Sequence, residues 1–555
     1  MKILVFTTDV IPLKGLPTSG TALRTFGFIQ GLRAHGHEVV VSVPKQALQG
    51  LKRCFETSGL APSVVDEIRE LEANAFSAEN QDAVLARVSP DAILCGHWPA
   101  MQLSVKPEQP LIIDLAGPHL LERHYQGSPD QMGAALGKLS ALSTADYFIV
   151  SGPSQRLYFL SFLLRAEVER AEERIITIPM PLNPNLPVRK GADTARDTRF
   201  VFGGVFLPWQ DPSHSLTALV KELEDRKRGS LKLIGGKHPN YKIDNGVYEK
   251  LFKSLSESSY VNTKPMLPYE QFIDELLHSD VAIDLMRWNL ERQLAVTIRT
   301  TTYLWAGVPI IYNDFADLAA LIKEYDAGWT IDPESDEAFK KVINEIYSKP
   351  ELVLAKSKNA QRLAHEVFSW DKAVEPLLSL ISGKQEYALK ETDIVIDFPQ
   401  SADFPLLSEQ SVEQHFLCRV DGLSKIEFRL ATHDRENVSP LRLSLYEVKD
   451  SSYKKKQSRP ADSNRELIKE IIIDGTTIKN NEWCTFELTS PLKTSAGKCF
   501  VFQVTSEQTE LDKSISPWAV RGNPYPLLGM YYGGKYIEQT CLCFKTQCID
   551  SQKAL

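Results

Sequence analysis

The sequence predicts two doubly wound α/β domains followed by an antiparallel β-sandwich. Residues 1–185 alternate short apolar runs with helical patterns, and the same alternation restarts at residue 199 and continues to residue 385. From residue 387 to residue 555, short strands with period-two alternation follow one another without a long helix. Continuous Val, Ile and Leu runs are typical of parallel strands that are buried on both faces, whereas alternation indicates strands with one solvated face.

The first array begins with the apolar run KILVFTT and a glycine-containing loop. The segment TALRTFGFIQGLRAHG follows with helical spacing and ends at Gly36, and HEVVVSVP predicts the next strand. Further strands are predicted by DAILCG, PLIIDLAG, DYFIVSG and RIITIPM. This alternation predicts a parallel sheet covered by helices.

A proline-rich and polar stretch, residues 179–198, is interpreted as a linker to the second array. The strands predicted there are RFVFGG, LKLIGG, DVAIDLM, VPIIYND and GWTIDP. Two βα arrays of similar size are expected to face each other across a cleft, and parallel sheets bind ligands at the carboxyl ends of their strands.

The third region is predicted to be a separable module, joined by the polar segment SGKQEYALKETD. A glycan-binding role and an oligomerising role are both considered for it. Aromatic rings offer apolar faces to sugars, so a platform is one interpretation of its aromatic residues, and core packing or dimer contacts are the alternative. These residues are Trp483, Trp518, Tyr525, Tyr531 and Tyr532.

Composition excludes several classes of protein. With 43% hydrophobic and 24% charged residues, the chain is expected to be globular. A net charge of −8 argues against binding of nucleic acid through overall electrostatic attraction. The start, MKILVFTTDV, lacks the pattern of a signal peptide, and no apolar run is long enough for a transmembrane helix. The eight cysteines form no metal-binding framework, which favours reduced thiols in the cytoplasm.

Glycines mark the predicted cleft in both arrays. In the loop at residues 13–21, Gly20 would allow a ligand close to the N-terminus of the first helix, although a plain tight turn is the alternative. In the second array, Gly204 and Gly235 end two predicted strands. Trp209 follows the first of them, where packing and stacking on a sugar are both considered.

Several segments together carry a resemblance to a known family. They are MKILVFTTDV with LRAHGHEVVVSVP, then RFVFGGVFLPWQDP, LKLIGG, HSDVAIDL and RTTTYLWAGVPIIYND. Over residues 1–385 the sequence resembles GT-B glycosyltransferases, especially the retaining glycosyltransferase family 4. The motif Phe368-Ser369-Trp370 is similar to the closing segment of that fold, whose helix returns toward the first domain. The resemblance implies two Rossmann-like domains.

The same resemblance implies a function, which is transfer of a sugar from a nucleotide diphosphate donor to a glycan or lipid-linked glycan. Bacterial surface polysaccharide synthesis is the expected setting, in the cytoplasm or peripherally at the inner face of the membrane. Arg299 matches the family's cationic position, and Thr297 and Ile298 would offer backbone N–H groups to the diphosphate. A guanidinium and a helix dipole can stabilise a leaving diphosphate, so neither a metal nor a cofactor is expected.

The donor site departs from the family pattern at its acids. The family's two glutamates fall on Leu294 and Thr302, and Glu291 in the adjoining loop is a candidate substitute. The basic residues that often follow the first strand of this domain are also missing, so Lys237 or His214 is considered as compensation at the donor phosphates.

In the first domain, the loop after PLIIDLAG resembles the one that supplies a sugar-contacting histidine in the family. His119 is the first choice for that residue, and His97 after DAILCG is the alternative. Asp114, at the end of the strand, is expected to face the cleft and orient the histidine or bind a hydroxyl. No pair of carboxylates suited to a glycoside hydrolase is found. A GT-B nucleotide-sugar epimerase and a catalytically degenerate glycan-binding protein are the alternatives.

Overall fold

The structure is a computed structural model. It describes residues 1–54, 60–103, 106–189, 197–236, 248–382, 392–397, 399–449, 459–521 and 529–548.

The first α/β unit is built from six strands and eight helices among the described residues. In chain order they are β1 (Lys2–Phe6), α1 (Gly20–Ala34), β2 (Glu38–Ser42), α2 (Lys45–Cys54), α3 (Pro62–Ala73), α4 (Gln81–Val88), β3 (Ala92–Cys95), β4 (Leu111–Asp114), α5 (His119–Tyr125), α6 (Gln131–Thr144), β5 (Tyr147–Val150), α7 (Pro153–Arg165), α8 (Ala171–Arg174) and β6 (Ile175–Thr177). The strands form one parallel sheet in the order β2-β1-β3-β4-β5-β6. The apolar runs therefore become strands buried on both faces, as their composition predicts.

The second α/β unit repeats this plan. Its elements are β7 (Arg199–Val205), α9 (Ser213–Arg226), β8 (Ser230–Gly236), α10 (Tyr248–Leu255), β9 (Val261–Lys264), α11 (Tyr269–Leu277), β10 (Val281–Asp284), α12 (Leu290–Leu294), α13 (Ile298–Trp305), β11 (Ile310–Asn313), α14 (Leu318–Glu324), β12 (Gly328–Ile331), α15 (Asp336–Ser348) and α16 (Pro350–Leu363). Its parallel sheet has the order β12-β11-β10-β7-β8-β9.

The chain then crosses back to the first unit. After a π-helical turn at Ala364–Phe368, two helices follow, α17 (Trp370–Ala373) and α18 (Glu375–Ser382). The backbone of Leu182 holds the crossing, because its N–H donates to Phe368 O (2.6 Å) and its carbonyl accepts from Trp370 N–H (2.7 Å). Val374 and Leu377 are buried in the core of the first sheet. The segment around Phe368-Ser369-Trp370 thus returns the chain to the first unit.

The C-terminal region consists of antiparallel strands. They are β13 (Thr392–Ile396), β14 (Ser411–Leu417), β15 (Leu423–Ala431), β16 (Leu441–Val448), β17 (Arg465–Ile473), β18 (Trp483–Leu492), β19 (Cys499–Ser506), β20 (Ser516–Pro517), β21 (Ala519–Arg521), β22 (Met530–Tyr532), β23 (Lys535–Ile537), β24 (Thr540–Leu542) and β25 (Phe544–Cys548). The larger sheets have the orders β13-β25-β15-β18, with β20 on β15, and β17-β16-β19-β14-β22-β23.

These two sheets pack face to face. Phe428 and Phe486 of the first sheet contact Phe502 of the second, with ring centroids 4.9 and 5.5 Å apart. Phe416 lies 5.8 Å from Phe544 in the same layer. The predicted fold class, two α/β units of this type followed by a β-sandwich, is confirmed.

The sandwich packs against the first α/β unit, an arrangement that disfavours its prediction as a separable module. Leu139 and Leu142 of α6 belong to one continuous apolar core with Ile394 and Val420 of the sandwich. Polar contacts flank this core, including an ion pair of 3.0 Å between Lys545 and Glu167. The period-two pattern shows that each strand has a buried face, but it carries no information about what covers the outside of the sheet.

The aromatic residues of the sandwich do not form an open platform among the described residues. Tyr531 is 3% exposed and stacks on His415 with ring centroids 4.4 Å apart. Trp518 donates to Asn481 Oδ1 (2.7 Å), and the ring of Trp483 lies 4.5 Å from Lys545 Nζ. The Tyr532 hydroxyl donates to a backbone carbonyl, and Tyr525 lies outside the described residues. In the part of the chain that is described, no helix has the length and apolar character needed to cross a bilayer.

Candidate active site

A cavity of about 850 Å³ lies between the two α/β units. Its walls come from the carboxyl-end loops of both parallel sheets, where ligands bind in folds of this type. The predicted site residues that line it are Gly20, His97, His119, Gly204, Trp209, Glu291, Thr297, Ile298, Arg299 and Thr302. The structure therefore brings together predicted residues from five separate segments of the sequence.

The N-termini of two helices meet in this cavity. A methyl group on Gly20, the first residue of α1, would lie 3.0 Å from Cδ1 of Ile298, the first residue of α13. Thr297 precedes α13 without capping it through its side chain, and the first backbone bond of this turn runs from Thr301 N–H to Thr297 O (3.2 Å). The amide N–H groups of residues 298–300 therefore have no acceptor within the helix. Two positive dipole ends face the same space.

Arg299 adds a full positive charge at this point. Its Nη2 donates to Val205 O (3.0 Å) and to Gln210 Oε1 (2.7 Å), and its Nη1 lies 3.8 Å from the Asp284 carboxylate. Burial alone would lower the pKa of Arg299, but the facing Asp284 offsets this and the pKa is raised. Nη1 is buried without a hydrogen-bond partner among the described residues. The guanidinium is thus charged and held in place at the cavity wall, with Nη1 buried and facing Asp284.

The two predicted glycines have different positions. Gly204 lines the cavity at a φ of +131°, and a methyl group there would lie 3.4 Å from Arg299 Nε. Gly235 does not line the cavity, which corrects its prediction as a donor-binding residue. A methyl group on Gly235 would lie 2.1 Å from Gly204 O, so this glycine serves the close approach of β8 to β7.

Trp209 forms part of the cavity wall, although it is only 6% exposed. Its indole Nε1 is buried without a hydrogen-bond partner among the described residues. The indole therefore packs into the wall, and its N–H does not reach the surface of the cavity. Lys237, the other predicted phosphate contact of this region, lies outside the described residues. His214 pairs with Asp336 at 3.1 Å and does not line the cavity.

The two candidate replacements for the missing acids are already engaged within the protein. Glu291 receives a bidentate pair of bonds from Arg292, at 2.6 and 2.8 Å. The Thr302 hydroxyl donates to Ile298 O at 2.8 Å and also hydrogen-bonds with Tyr269. Both residues line the cavity, but neither presents an unoccupied group comparable to the carboxylate that is missing from the family pattern.

His97 and His119 lie together on the wall formed by the first unit. Their ring centroids are 5.6 Å apart, and both rings contact Trp98. Burial, followed by the charges of Arg123 and Lys138, lowers the pKa of His119 to about 4. Burial also lowers the pKa of His97 well below its usual value. Both imidazoles are neutral at pH 7, and each has a buried Nδ1 without a partner among the described residues.

Asp114 does not face the cavity, in contrast to its predicted role. Arg24 of α1 holds its carboxylate through bonds of 2.7 Å from Nε and 2.9 Å from Nη2, and Asp114 is 1% exposed. The same guanidinium donates to Ile178 O and Pro179 O. This buried ion pair joins the end of β4 to α1, so the carboxylate orients neither histidine, although His97 does hydrogen-bond with the backbone of Asp114.

Sequence reasoning missed two ionisable residues next to the histidines. Glu122 lines the cavity on α5, and Lys138 is fully buried behind it on α6. Within the segment HLLERHY, Glu122 looks like one of several polar residues on a solvated helix. A lysine in the apolar context GAALGKLSAL was the one available signal of something unusual, because an unpaired lysine is almost never fully buried.

No group of three potential metal ligands lies in the cavity among the residues that the structure describes. Such a group does occur in the sandwich, where Asp393, Cys418 and Cys548 lie close together. The Asp393 carboxylate already accepts hydrogen bonds from the backbone N–H (2.8 Å) and the Nε (3.0 Å) of Arg419. A guanidinium in contact with the carboxylate disfavours a cation at this position.

The fold is shared with solved glycosyltransferase structures. Sucrose-phosphate synthase from Thermosynechococcus elongatus matches with a TM-score of 0.52 at 15% identity, over 68% of this chain and 98% of that one. WaaG, a glycosyltransferase involved in lipopolysaccharide biosynthesis, matches with a TM-score of 0.45 at 14% identity, over 69% of this chain and 100% of that one. Anabaena HepE in complex with UDP-glucose matches with a TM-score of 0.48 at 14% identity, over 69% of this chain and 99% of that one. No protein-family model matches the sequence, and no curated protein matches it. The two α/β units thus have the GT-B arrangement.

Proposed function

We propose that the protein is a glycosyltransferase that moves a sugar from a nucleotide diphosphate donor to a glycan or lipid-linked glycan acceptor. The observation that carries this proposal is the meeting of the N-termini of α1 and α13 beside the charged guanidinium of Arg299, which lines the same cavity. Open backbone amides, dipole ends and a fixed guanidinium in one cavity are the groups that bind a diphosphate. The fold of the chain is consistent with this activity.

The chemistry that this site supports is charge stabilisation of a leaving diphosphate. As the bond between the anomeric carbon and the phosphate oxygen breaks, negative charge grows on the diphosphate, where the α13 amides and Arg299 would stabilise it. The acceptor oxygen then bonds to the anomeric carbon, and its proton passes to the departing phosphate on the same face of the sugar. We propose this retaining course because the site, as far as the structure describes it, is suited to charge stabilisation, and positioning then supplies much of the rate.

The two histidines fit a positioning role in this reaction. Because both imidazoles are neutral at pH 7, each can donate and accept a hydrogen bond but neither adds a positive charge. We propose that His119, with His97 behind it, binds hydroxyl groups of the transferred sugar. Bacterial surface polysaccharide synthesis, a cytoplasmic location and a peripheral membrane contact belong to the same proposal, as does membership of family 4.

One observation favours the alternative of a degenerate glycan-binding protein. Thr302 and Glu291 are both engaged in internal bonds, so the part of the site expected to hold the ribose has no unpaired carboxylate among the described residues. A protein that no longer binds a nucleotide-sugar donor would show this arrangement. The two functions differ in whether a nucleotide binds.

The test is a thermal-shift series with UDP, GDP, ADP, dTDP and CMP, followed by measurement of nucleotide release from the corresponding sugar nucleotide. A transferase is expected to be stabilised by one nucleoside diphosphate and to release it faster when a glycan acceptor is added. Acceptor-independent interconversion of the sugar would instead identify an epimerase. If no nucleotide shifts the melting temperature, the transferase proposal fails and the glycan-binding alternative is retained.

A further inference from the structure

Glu122 lies on the wall of the cavity, one helical turn after His119 on α5. Residues three positions apart share a helix face, so the carboxyl group and the imidazole are neighbours. Gly117 faces the same carboxyl group, because a methyl group on this glycine would lie 2.8 Å from Glu122 Oε1. The carboxyl oxygens accept no hydrogen bond from the described residues. The side chain therefore borders the cavity with its bonding capacity unused.

Charged residues surround this carboxyl group from several elements. Arg292 of α12 bonds to Glu291, and the two face Glu122 from the second α/β unit. Behind Glu122, the Lys138 Nζ lies 3.9 Å from the ring centroid of Phe162 and has no hydrogen-bond partner among the described residues. The titratable and charged groups around Glu122 are His119 and Arg123 of α5, Lys138 of α6, Tyr158 of α7, and Glu291 and Arg292 of α12.

This environment favours an uncharged carboxyl group. Burial, followed by the nearby Glu291 carboxylate, raises the pKa of Glu122 to about 8. Burial lowers the pKa of Lys138 to about 7, so the lysine gives little compensating charge. At neutral pH the Glu122 side chain consequently carries a proton and can both donate and accept a hydrogen bond.

The location of Glu122 relative to the proposed diphosphate site follows from the chain. Glu122 faces α12, which ends at Leu294, and α13 begins at Ile298 after only three residues. A sugar attached to a diphosphate at the N-terminus of α13 has to lie beside that terminus, within the same cavity. The space between α12 and α5 adjoins it, and Glu122 borders that space together with His119.

We propose that Glu122 is a donor-sugar-binding residue whose carboxyl group hydrogen-bonds a hydroxyl of the transferred sugar. This inference rests on the proposed function. A sugar hydroxyl donates and accepts as a protonated carboxyl does, so the pair satisfies both partners. Glu291 and Arg292 are paired with each other, so this pair offers no free cation to a sugar that carries a carboxylate, and the proposed substrate class is a neutral sugar.

The test compares sugar nucleotides with the same nucleotides without a sugar. The probes are UDP-glucose and UDP-N-acetylglucosamine against UDP, and GDP-mannose against GDP, by calorimetry on the full chain. For the pair that the wild-type protein binds, Glu122→Ala is expected to reduce the affinity for the sugar nucleotide about tenfold and to leave the affinity for the nucleotide unchanged. Glu122→Gln keeps a donor and an acceptor and is expected to stay within about threefold of wild type. Glu172→Gln, on an exposed helix, is the control.

A pH series adds a readout that a purely structural role would not produce. Between pH 7 and 9 the wild-type preference for the sugar nucleotide is expected to fall, because Glu122 ionises and can no longer donate a hydrogen bond to the sugar, whereas the preference of Glu122→Gln should not change with pH. Three results would overturn the inference: equal losses of affinity for sugar nucleotide and nucleotide in Glu122→Ala, no loss of affinity for either, or a wild-type preference that does not change with pH. In each case nucleotide binding by the wild-type protein would still support the proposed function. If wild type binds no nucleotide at all, the proposed function itself fails.

Discussion

Gly20 and Ile298 are the first residues of helices in different α/β units, yet a methyl group on Gly20 would lie 3.0 Å from Ile298 Cδ1. The space between Gly20 and the Ile298 side chain is thus tight even for a methyl group, and both residues line the cavity. Hydrogen bonds across the two units support the same approach, including Gly15 N–H to Glu270 Oε1 (2.8 Å) and the Ser154 hydroxyl to Asp317 Oδ1 (2.6 Å). The geometry of the proposed diphosphate site therefore depends on the spacing between the units.

Widening this spacing is expected to weaken nucleotide binding. Gly20→Val adds a branched side chain where there is room for no more than a methyl group, so it should separate the two N-termini and reduce nucleoside diphosphate affinity about tenfold by calorimetry. Ile298→Ala in the same chain should restore the affinity, because it removes the opposing side chain. Gly137→Ala, where the new methyl group would meet nothing closer than 3.8 Å, is the control. Equal affinity in Gly20→Val and wild type would show that the contact does not set the site.

Removing the Arg299 guanidinium is expected to weaken nucleoside diphosphate binding by about ten- to hundredfold, since a charge-assisted contact contributes about 1.5–3 kcal/mol. Arg299→Lys keeps the charge beside Asp284 and so should fold normally, but it loses the bonds to Val205 O and Gln210 and should also bind weakly. Arg287→Ala is the matched control, because Arg287 is half exposed and pairs with Glu334. Unchanged affinity in both Arg299 variants would remove this residue from the site.

The contribution of His119 to stability is expected to depend on pH. Its pKa is about 4 in the folded protein, below the ordinary value of 6.5, so the unfolded chain binds more protons between these values. The stabilisation is fully present above pH 6.5 and is lost as the pH falls toward 4, by up to about 3 kcal/mol. Urea unfolding at pH 4.5 to 7.5 should give a shallower loss for His119→Asn than for wild type. An identical slope in both proteins would contradict the neutral, buried state of this imidazole, and His278→Asn provides an exposed control.

The sequence could predict the elements of this site better than their partners. Strand ends and helix starts follow from local patterns, which is how Gly20 was selected, whereas the family resemblance supplied His119 and Arg299. Asp114 was placed correctly at the end of its strand, but Arg24, which occupies its carboxylate, lies 90 residues away. Glu122 was missed for the same reason, because its environment is created by α6 and α12 and not by its own segment. Tertiary contacts of this kind leave no periodic signal.

Activity is expected to survive a metal chelator. The N-termini of α1 and α13 and the Arg299 guanidinium supply positive potential where a divalent ion would otherwise be needed, and no three-ligand group lies in the cavity among the described residues. Release of nucleotide from the cognate sugar nucleotide, with acceptor present, should be equal in EDTA and in untreated enzyme. Loss of activity in EDTA that manganese or magnesium restores would contradict this prediction.

The last prediction concerns the sandwich. Because Leu139 and Leu142 of α6 share a core with Ile394 and Val420, truncation after residue 386 should expose a large apolar surface on the first α/β unit. The truncated chain is therefore expected to aggregate or to melt at a clearly lower temperature.

The effect of truncation should extend to the cavity, because α6 carries Lys138 directly behind Glu122 and contacts both α5 and the sandwich strand β13. If the shortened chain stays soluble, its preference for a sugar nucleotide over the nucleotide should be reduced, since the support behind this wall is lost. A soluble truncated protein with wild-type stability and wild-type donor affinity would show instead that the sandwich is a separable module. Melting curves of the truncated and the full-length protein, with and without the cognate sugar nucleotide, distinguish these outcomes.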